Sequence, residues 1–265
     1  MNDKYCLITG ATGGLGRAIT YEAASRGYEL ILVDLDDRNL ESLKIGLKSN
    51  FNVSVITFNI SILDKDQMTG VWNYLKENNI KLDMLINVAG RDEEGFFANT
   101  LPVVSIGIAE LNAVGTLSMI SNAIKYKSNT LRVINISSMA GFYPMPLKAV
   151  YSASKRFLID LGYSLNDELN SQNIYITTVC PAGLPTRADI IEKIDSQGFF
   201  GRVTTLNVGI VARRIFENAF RNKKIYIPGF LNQVVVIISN LIPQRVLAKL
   251  VGKRWRKTNC RISHS

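Results

Sequence analysis

Thr9-Gly10-Ala11-Thr12-Gly13-Gly14-Leu15-Gly16 closes a short apolar run at residues 4–9 and opens a helical stretch at 17–26. Glycine adopts backbone angles that other residues avoid, so four glycines within these eight positions fit a sharp strand-to-helix turn. Outward from that turn the same rhythm continues. Apolar runs fall at 30–33, 53–58, 84–88, 132–136 and 174–179, and helical stretches at 37–49, 62–78, 106–126 and 152–170. Runs such as Val133-Ile134-Asn135-Ile136 do not alternate polar with apolar, as a strand buried on both faces requires. The expected class is α/β, a doubly wound parallel sheet with helices on both faces.

At such a turn the backbone bends sharply and lets a pyrophosphate approach the helix N-terminus, where unpaired N–H groups and the helix dipole favour negative charge. A tight turn without a ligand has the same glycines, but a place after the first strand of an α/β pattern favours a Rossmann-like dinucleotide site. Asp34 follows the second run, 18 residues beyond Gly16. A carboxylate there accepts from the adenosine ribose hydroxyls and repels an added phosphate. No basic residue lies between Gly10 and Gly16 or between Asp34 and Asp37, so NAD is favoured over NADP. A solvated strand end, as Asp36 and Asp37 resemble, is the plainer account of Asp34.

Ser138, in Ile-Asn-Ile-Ser-Ser-Met-Ala-Gly, stands just beyond a buried run, at the edge where ligands collect in open parallel sheets. Thirteen residues later Tyr151 opens Tyr-Ser-Ala-Ser-Lys, and on a helix Tyr151 and Lys155 share one face. A phenol, with a pKa near 10, is a poor proton carrier at neutral pH, and a nearby ammonium favours its ionised form. Tyr151 is therefore the expected acid/base for a substrate hydroxyl, assisted by Lys155, with Ser138 holding the substrate oxygen. Singly, each residue has a plain account as a helix surface tyrosine, a snorkelling lysine or a loop hydroxyl; downstream of a dinucleotide-type turn the combination is harder to dismiss. Asn112 lies within a helical pattern where its amide adds little propensity; it either faces the pocket, placing a water or kinking the helix, or faces solvent.

The chain has 265 residues, 47% of them hydrophobic and 20% charged, enough for one packed domain and unlike a disordered protein. The expected division is a single catalytic domain at 1–225 and a basic, partly apolar extension at 226–265. Three cysteines without CxxC spacing and a lone histidine, His264, argue against a disulfide framework or a metal site. The first residues lack the apolar core of a signal peptide, which points to the cytoplasm. The formal charge of +9 belongs to the tail: after Glu217 there are ten basic residues and no acidic one.

These residues resemble the classical short-chain dehydrogenase/reductase family over roughly residues 4–225. Thr9–Gly16 resembles its cofactor turn, Asn87-Val88-Ala89-Gly90 its central strand motif, and Asn112, Ser138, Tyr151 and Lys155 its catalytic tetrad in order and spacing. The resemblance implies an oxidoreductase that exchanges the pro-S hydride of NAD(P)H with a carbonyl carbon. It implies that Asn112 places a water in a proton relay through Lys155 and the cofactor ribose. The implied cofactor contacts are Gly10, Thr12, Gly13, Gly14, Leu15, Gly16, Asp34, Asn59, Ile60, Asn87, Ala89, Gly90, Tyr151, Lys155, Pro181, Gly183 and Thr186. Two departures stand out. Val88 replaces the motif's second asparagine, which leaves Asn87 without that polar neighbour, and Asn59 stands where an aspartate is common. Family members are commonly homodimers or homotetramers, here through helices near 106–126 and 152–170.

Residues 187–205 are expected to form a flap over substrate, in which Phe199 and Phe200 either cover an apolar substrate or pack against the body. With Phe96, Phe97 and Phe142 nearby, the substrate is expected to be a hydrophobic alcohol or ketone, sterol-like or long-chain, rather than a sugar. Residues 230–243 are apolar but interrupted, too short for a spanning helix, and a basic segment follows. That tail can cover the pocket, join a subunit contact or lie on an anionic membrane surface. Two other functions compete: a cofactor-binding regulatory or scaffold protein without efficient turnover and, with less support, nucleic-acid binding, for which the body carries no base-stacking module.

Overall fold

The computed structural model describes residues 4–185 and 206–262. Thr186, the segment 187–205 with Phe199 and Phe200, and His264 lie outside the described residues. Buried strands at β1 (Tyr5–Thr9), β2 (Glu29–Asp34), β3 (Val55–Asn59), β4 (Leu82–Asn87), β5 (Lys127–Ile136), β6 (Ile174–Val179) and the short β7 (Ile225–Tyr226) form one parallel sheet, in the order β3-β2-β1-β4-β5-β6-β7. The order reverses direction at β1 and β4, which opens a crevice at the carboxyl edge between them. Helices cover both faces, so Leu7, Ile31 and Val133 pack into one apolar layer while Ile8, Leu32 and Ile134 pack into the other.

Helix α1 (Gly14–Ser25) begins inside the glycine turn, and α2 (Asp37–Asn50) starts at Asp36, whose side chain accepts from Asn39 N. After α3 (Lys65–Glu77), a long rod runs from Pro102 to Tyr126: α4 (Pro102–Ala109), a wide π turn at Glu110–Gly115, α5 (Thr116–Ala123) and a final 3-10 turn. By length and apolar composition this rod is long enough to cross a bilayer, yet it lies along α6 (Ala149–Leu169) and the sheet. Gly162 draws α6 onto β6, since a Cβ there would sit 2.1 Å from Thr178 Oγ1. Helix α7 (Val208–Phe220) packs on α1, and the chain ends with α8 (Phe230–Leu241) and α9 (Gln244–Ile262).

Candidate active site

Two glycines shape the turn between β1 and α1. Gly10 has φ +68, and a Cβ on it would lie 2.6 Å from Ala89 N, so the turn rests directly on the segment after β4. On Gly16 a Cβ would lie 2.0 Å from the Gly10 carbonyl oxygen, which makes the first turn of α1 part of the same tight contact. Gly13 caps α1 without a side-chain bond, and the first turn carries no acidic residue. No side chain of α1 caps its first N–H groups, and with the positive end of the helix dipole the cradle fits a pyrophosphate. Gly14 starts the helix and Leu15 is buried beneath it.

Asp34 is no free strand end. Its Oδ2 accepts from Thr12 N and Thr12 Oγ1, each at 2.8 Å, and its Oδ1 from Leu35 N at 2.7 Å. The carboxylate ties β2 to the glycine turn. Asn59 pairs with Asp34 in register and is exposed, while Ile60 N donates to the Asp34 carbonyl at 3.0 Å.

Asn87 lacks the neighbour that Val88 displaces but has another partner: its Nδ2 donates at 2.9 Å to Oδ1 of Asn135, the register partner on β5. Both side chains are buried. Sequence reading missed Asn135 because it appeared only as an interruption of an apolar run; strand register alone reveals the pair. Val88 joins the apolar packing beneath the turn, and Ala89 N donates to Thr9 O at 3.1 Å.

At the carboxyl end of β5, Ser138 caps a short turn at Met139–Phe142, its Oγ accepting from Ala140 N at 3.1 Å. Gly141 lets α6 approach, since a Cβ there would meet the Lys155 backbone at 2.9 Å, and Ser137 Oγ donates to Lys155 O at 2.7 Å. Tyr151 and Lys155 therefore face the crevice from one side of α6. The Lys155 ammonium stands 5.7 Å from the Tyr151 ring centroid, and the phenol shares a hydrogen bond with Ser138. Lys155 is buried and donates to Ile136 O at 2.8 Å. An ammonium has three donors, so others remain for a sugar hydroxyl.

The electrostatics correct the expected balance. Burial pushes the Tyr151 phenol up to about 12, the Asp92 carboxylate adds to the rise, and the Ser138 hydrogen bond offsets part of it. The expected ionising pull of Lys155 is not what sets this group, because desolvation penalises the phenolate more strongly. Tyr151 therefore holds its proton at neutral pH. Burial lowers Lys155 from 10.5 to about 8, against the opposing pull of Asp92 and Cys180. Between those two values the unfolded chain keeps a proton that the folded chain has lost, so this lysine makes stability rise with pH across that window. Thermal melts of Lys155→Met from pH 8 upward should lack that rise; an unchanged slope would remove Lys155 as its source.

Asn112 is fully buried, which excludes the solvent-facing account. It sits in the π turn, with Oδ1 accepting from Arg91 N at 2.8 Å and Nδ2 donating to Arg91 O at 2.9 Å and Ser154 Oγ at 3.0 Å. The amide thus clamps the segment after β4 to α6, and both Nδ2 hydrogens are committed while Oδ1 keeps a lone pair. Gly90 lies between the groups: a Cβ there would be 3.0 Å from Asn112 Oδ1 and 3.3 Å from Lys155 Nζ.

A polar cluster beside Tyr151 was not legible in the sequence. Lys148, 9% exposed, pairs with Asp92 and Glu94, and its ammonium stands 5.7 Å from the Tyr151 ring centroid and 5.1 Å from that of Trp255 on α9. These side chains come from three distant segments, so only tertiary contact reveals them. Phe142 is half-buried, whereas Phe96 and Phe97 are exposed. Across the crevice Pro181 is buried, its carbonyl accepting from Met139 N at 3.0 Å, and Gly183 is exposed.

The short chain dehydrogenase model matches residues 4–195. The 3-oxoacyl-[acyl-carrier-protein] reductase FabG of Thermotoga maritima is 27% identical over 188 residues, covering 70% of this chain and 76% of that protein. The very-long-chain 3-oxoacyl-CoA reductase of Mus musculus is 26% identical over 200 residues, 72% of this chain but only 62% of the mouse protein. Among solved structures, a bulky-bulky ketone specific alcohol dehydrogenase from Comamonas testosteroni aligns with TM-score 0.73 and 23% identity, over 92% of this chain and 96% of that one. A short chain dehydrogenase/reductase from Burkholderia phymatum, in complex with NAD, aligns with TM-score 0.77 and 21% identity, over 89% and 92% of the two chains. The two structures share the fold. With six of the seven described strands and Asn112, Ser138, Tyr151 and Lys155 inside the matched segment, this chain belongs to the short chain dehydrogenase family, the NAD(P)-dependent oxidoreductases of small carbonyl and alcohol compounds.

Proposed function

We propose that the protein interconverts a secondary alcohol and a ketone on a hydrophobic small molecule such as a steroid or long-chain carbonyl, preferring NAD to NADP. One observation carries this reading: a phenol that holds its proton at neutral pH, bonded to Ser138 and backed by buried Lys155, faces the crevice beyond the glycine turn. The bound dinucleotide supplies or accepts the hydride. Gly10, Thr12 and Gly13–Gly16 hold its pyrophosphate, Asp34 its adenosine ribose, and Asn59 and Ile60 the adenine side. Asn87, Ala89, Gly90, Pro181 and Gly183 border its nicotinamide half. In ketone reduction Tyr151 donates its proton to the substrate oxygen while Ser138 orients that oxygen, and the reverse step returns the proton to Tyr151. Lys155 binds the nicotinamide ribose and, with Asn112 and a water, replaces the proton. Exposed Ile106, Val114 and Leu117 on the rod and Phe157 and Tyr163 on α6 supply the apolar contact of a homodimer or homotetramer.

The substrates for which these relatives are named, 3-oxoacyl thioesters and bulky ketones, support the apolar substrate class. A panel of long-chain, steroidal and small polar ketones, assayed with NADH and NADPH in parallel, tests it. Turnover of apolar ketones with NADH is expected; NADH binding without turnover across the panel would instead favour a regulatory protein. Asp34→Ala removes the ribose acceptor and the Thr12 anchor together, so the NADH over NADPH preference in kcat/KM should shrink by about tenfold or more. A preference that does not move would place cofactor selection elsewhere.

A further inference from the structure

Helix α8 is built inside out. Its buried positions are Asn232, Val236 and Ser239, two of them polar, with Asn232 Nδ2 donating to Pro228 O at 2.7 Å and Ser239 Oγ to Val236 O at 2.8 Å. Its larger apolar side chains point outward: Phe230 is 77% exposed and Leu241 80%, with Leu231, Ile237 and Ile238 beside them. A helix that rests only on its own domain shows the opposite pattern. Helix α9 continues the surface. Leu247 is buried against the body, Val246 and Leu250 are exposed one turn apart, and Arg245, Lys249 and Lys253 are exposed in an adjoining row at four-residue spacing.

We propose that this face of α8 and α9 docks on an anionic lipid bilayer, with the apolar side chains among the acyl chains and the basic row at the headgroups. The charge supports lipid over a second copy of the chain. An isologous contact sets a surface against itself, and the segment after Glu217 has no acidic residue to meet its ten basic ones. At about 1.5 Å per residue α8 is roughly 18 Å long, short of a hydrocarbon core of about 30 Å, so it lies on the membrane and does not span it. Through Trp255 the same α9 contacts Lys148 beside Tyr151, which puts the docked helices next to the substrate wall. The value of that placement rests on the catalytic reading of Tyr151; docking itself does not.

Flotation of the full chain with phosphatidylcholine vesicles, with and without phosphatidylserine, at low and high salt, tests docking without any turnover measurement. Preferential association with the anionic vesicles, weakened by salt, is expected. Ile237→Glu/Leu241→Glu should lower it by about tenfold or more, as should Arg245→Glu/Lys249→Glu/Lys253→Glu, with melting temperature and oligomeric mass unchanged. Equal association with neutral and anionic vesicles, or unaltered flotation of either variant, overturns the proposal. So does a fall in oligomeric mass of the Ile237→Glu/Leu241→Glu protein, which would make this face a subunit contact.

Discussion

Tyr151→Phe is expected to lower kcat for ketone reduction by about a thousandfold, within the range that positioned general acids contribute. The variant removes one oxygen and keeps the ring that stands 5.7 Å from both the Lys148 and the Lys155 ammonium. Packing is therefore preserved, and NADH affinity and the melting temperature should stay close to those of the parent protein. The pH behaviour follows from the same group. Because burial holds the phenol near 12, the acid form is ready at neutral pH, whereas alcohol oxidation needs the ionised form and should accelerate as pH rises. Steady-state rates in both directions across pH check both statements. A Phe variant that retains its reduction rate would remove Tyr151 as the proton donor.

Gly16→Ala is expected to be the most damaging single change to the cofactor turn. Its Cβ would have to occupy a point 2.0 Å from the Gly10 carbonyl oxygen, a backbone atom that cannot rotate away. The cost should reach about 3 kcal/mol, the upper end of ordinary overpacking, and NADH affinity should fall by about tenfold or more as the turn shifts. Gly13→Ala is the matched control. There a Cβ meets only the Gly10 carbonyl oxygen, at 3.6 Å, and φ is −64, so stability should drop by less than about 1 kcal/mol. Urea unfolding together with NADH fluorescence titration separates the two effects. Equal stability for the two variants would show that the packing around Gly16 is looser than the backbone contact implies.

The sheet was legible where the physics is local and repetitive. Six apolar runs became β1 to β6, and β6 fell on the expected residues because Ile174–Val179 is apolar or β-branched almost throughout. Elsewhere tertiary contacts decided. β5 starts five residues before its apolar run, since the polar segment from Lys127 is drawn into pairing by Leu82 on β4. β7 has two residues, too few for a pattern, and is held by Thr178 and Val179. Helix α1 begins at Gly14 rather than Arg17, because the turn imposes helical geometry on residues with poor propensity for it.

The candidate site divides in the same way. Tyr151 and Lys155 share a helix face at a spacing visible in the sequence, and Ser138 ends a buried strand; their joint place after the glycine turn made them candidates. Asn112 was ambiguous because a helical pattern does not foretell a π turn, and the widened turn is what aims its amide at Arg91 and Ser154. The Asn87–Asn135 pair depends on strand register, and the Lys148, Asp92, Glu94 and Trp255 cluster depends on how α9 folds back. The electrostatic expectation for Tyr151 failed for a related reason: spacing places a charge beside a phenol but does not reveal how far both are withdrawn from water.

The most direct test of the account follows a labelled atom. NADH carrying deuterium at the pro-S position of its nicotinamide ring is incubated with the protein and its best ketone, and the alcohol is analysed by mass spectrometry. One deuterium on the carbinol carbon is expected with the parent protein and almost no labelled alcohol with Tyr151→Phe. Alcohol formed without the label, or labelled alcohol formed equally fast by the Phe variant, would contradict this mechanism.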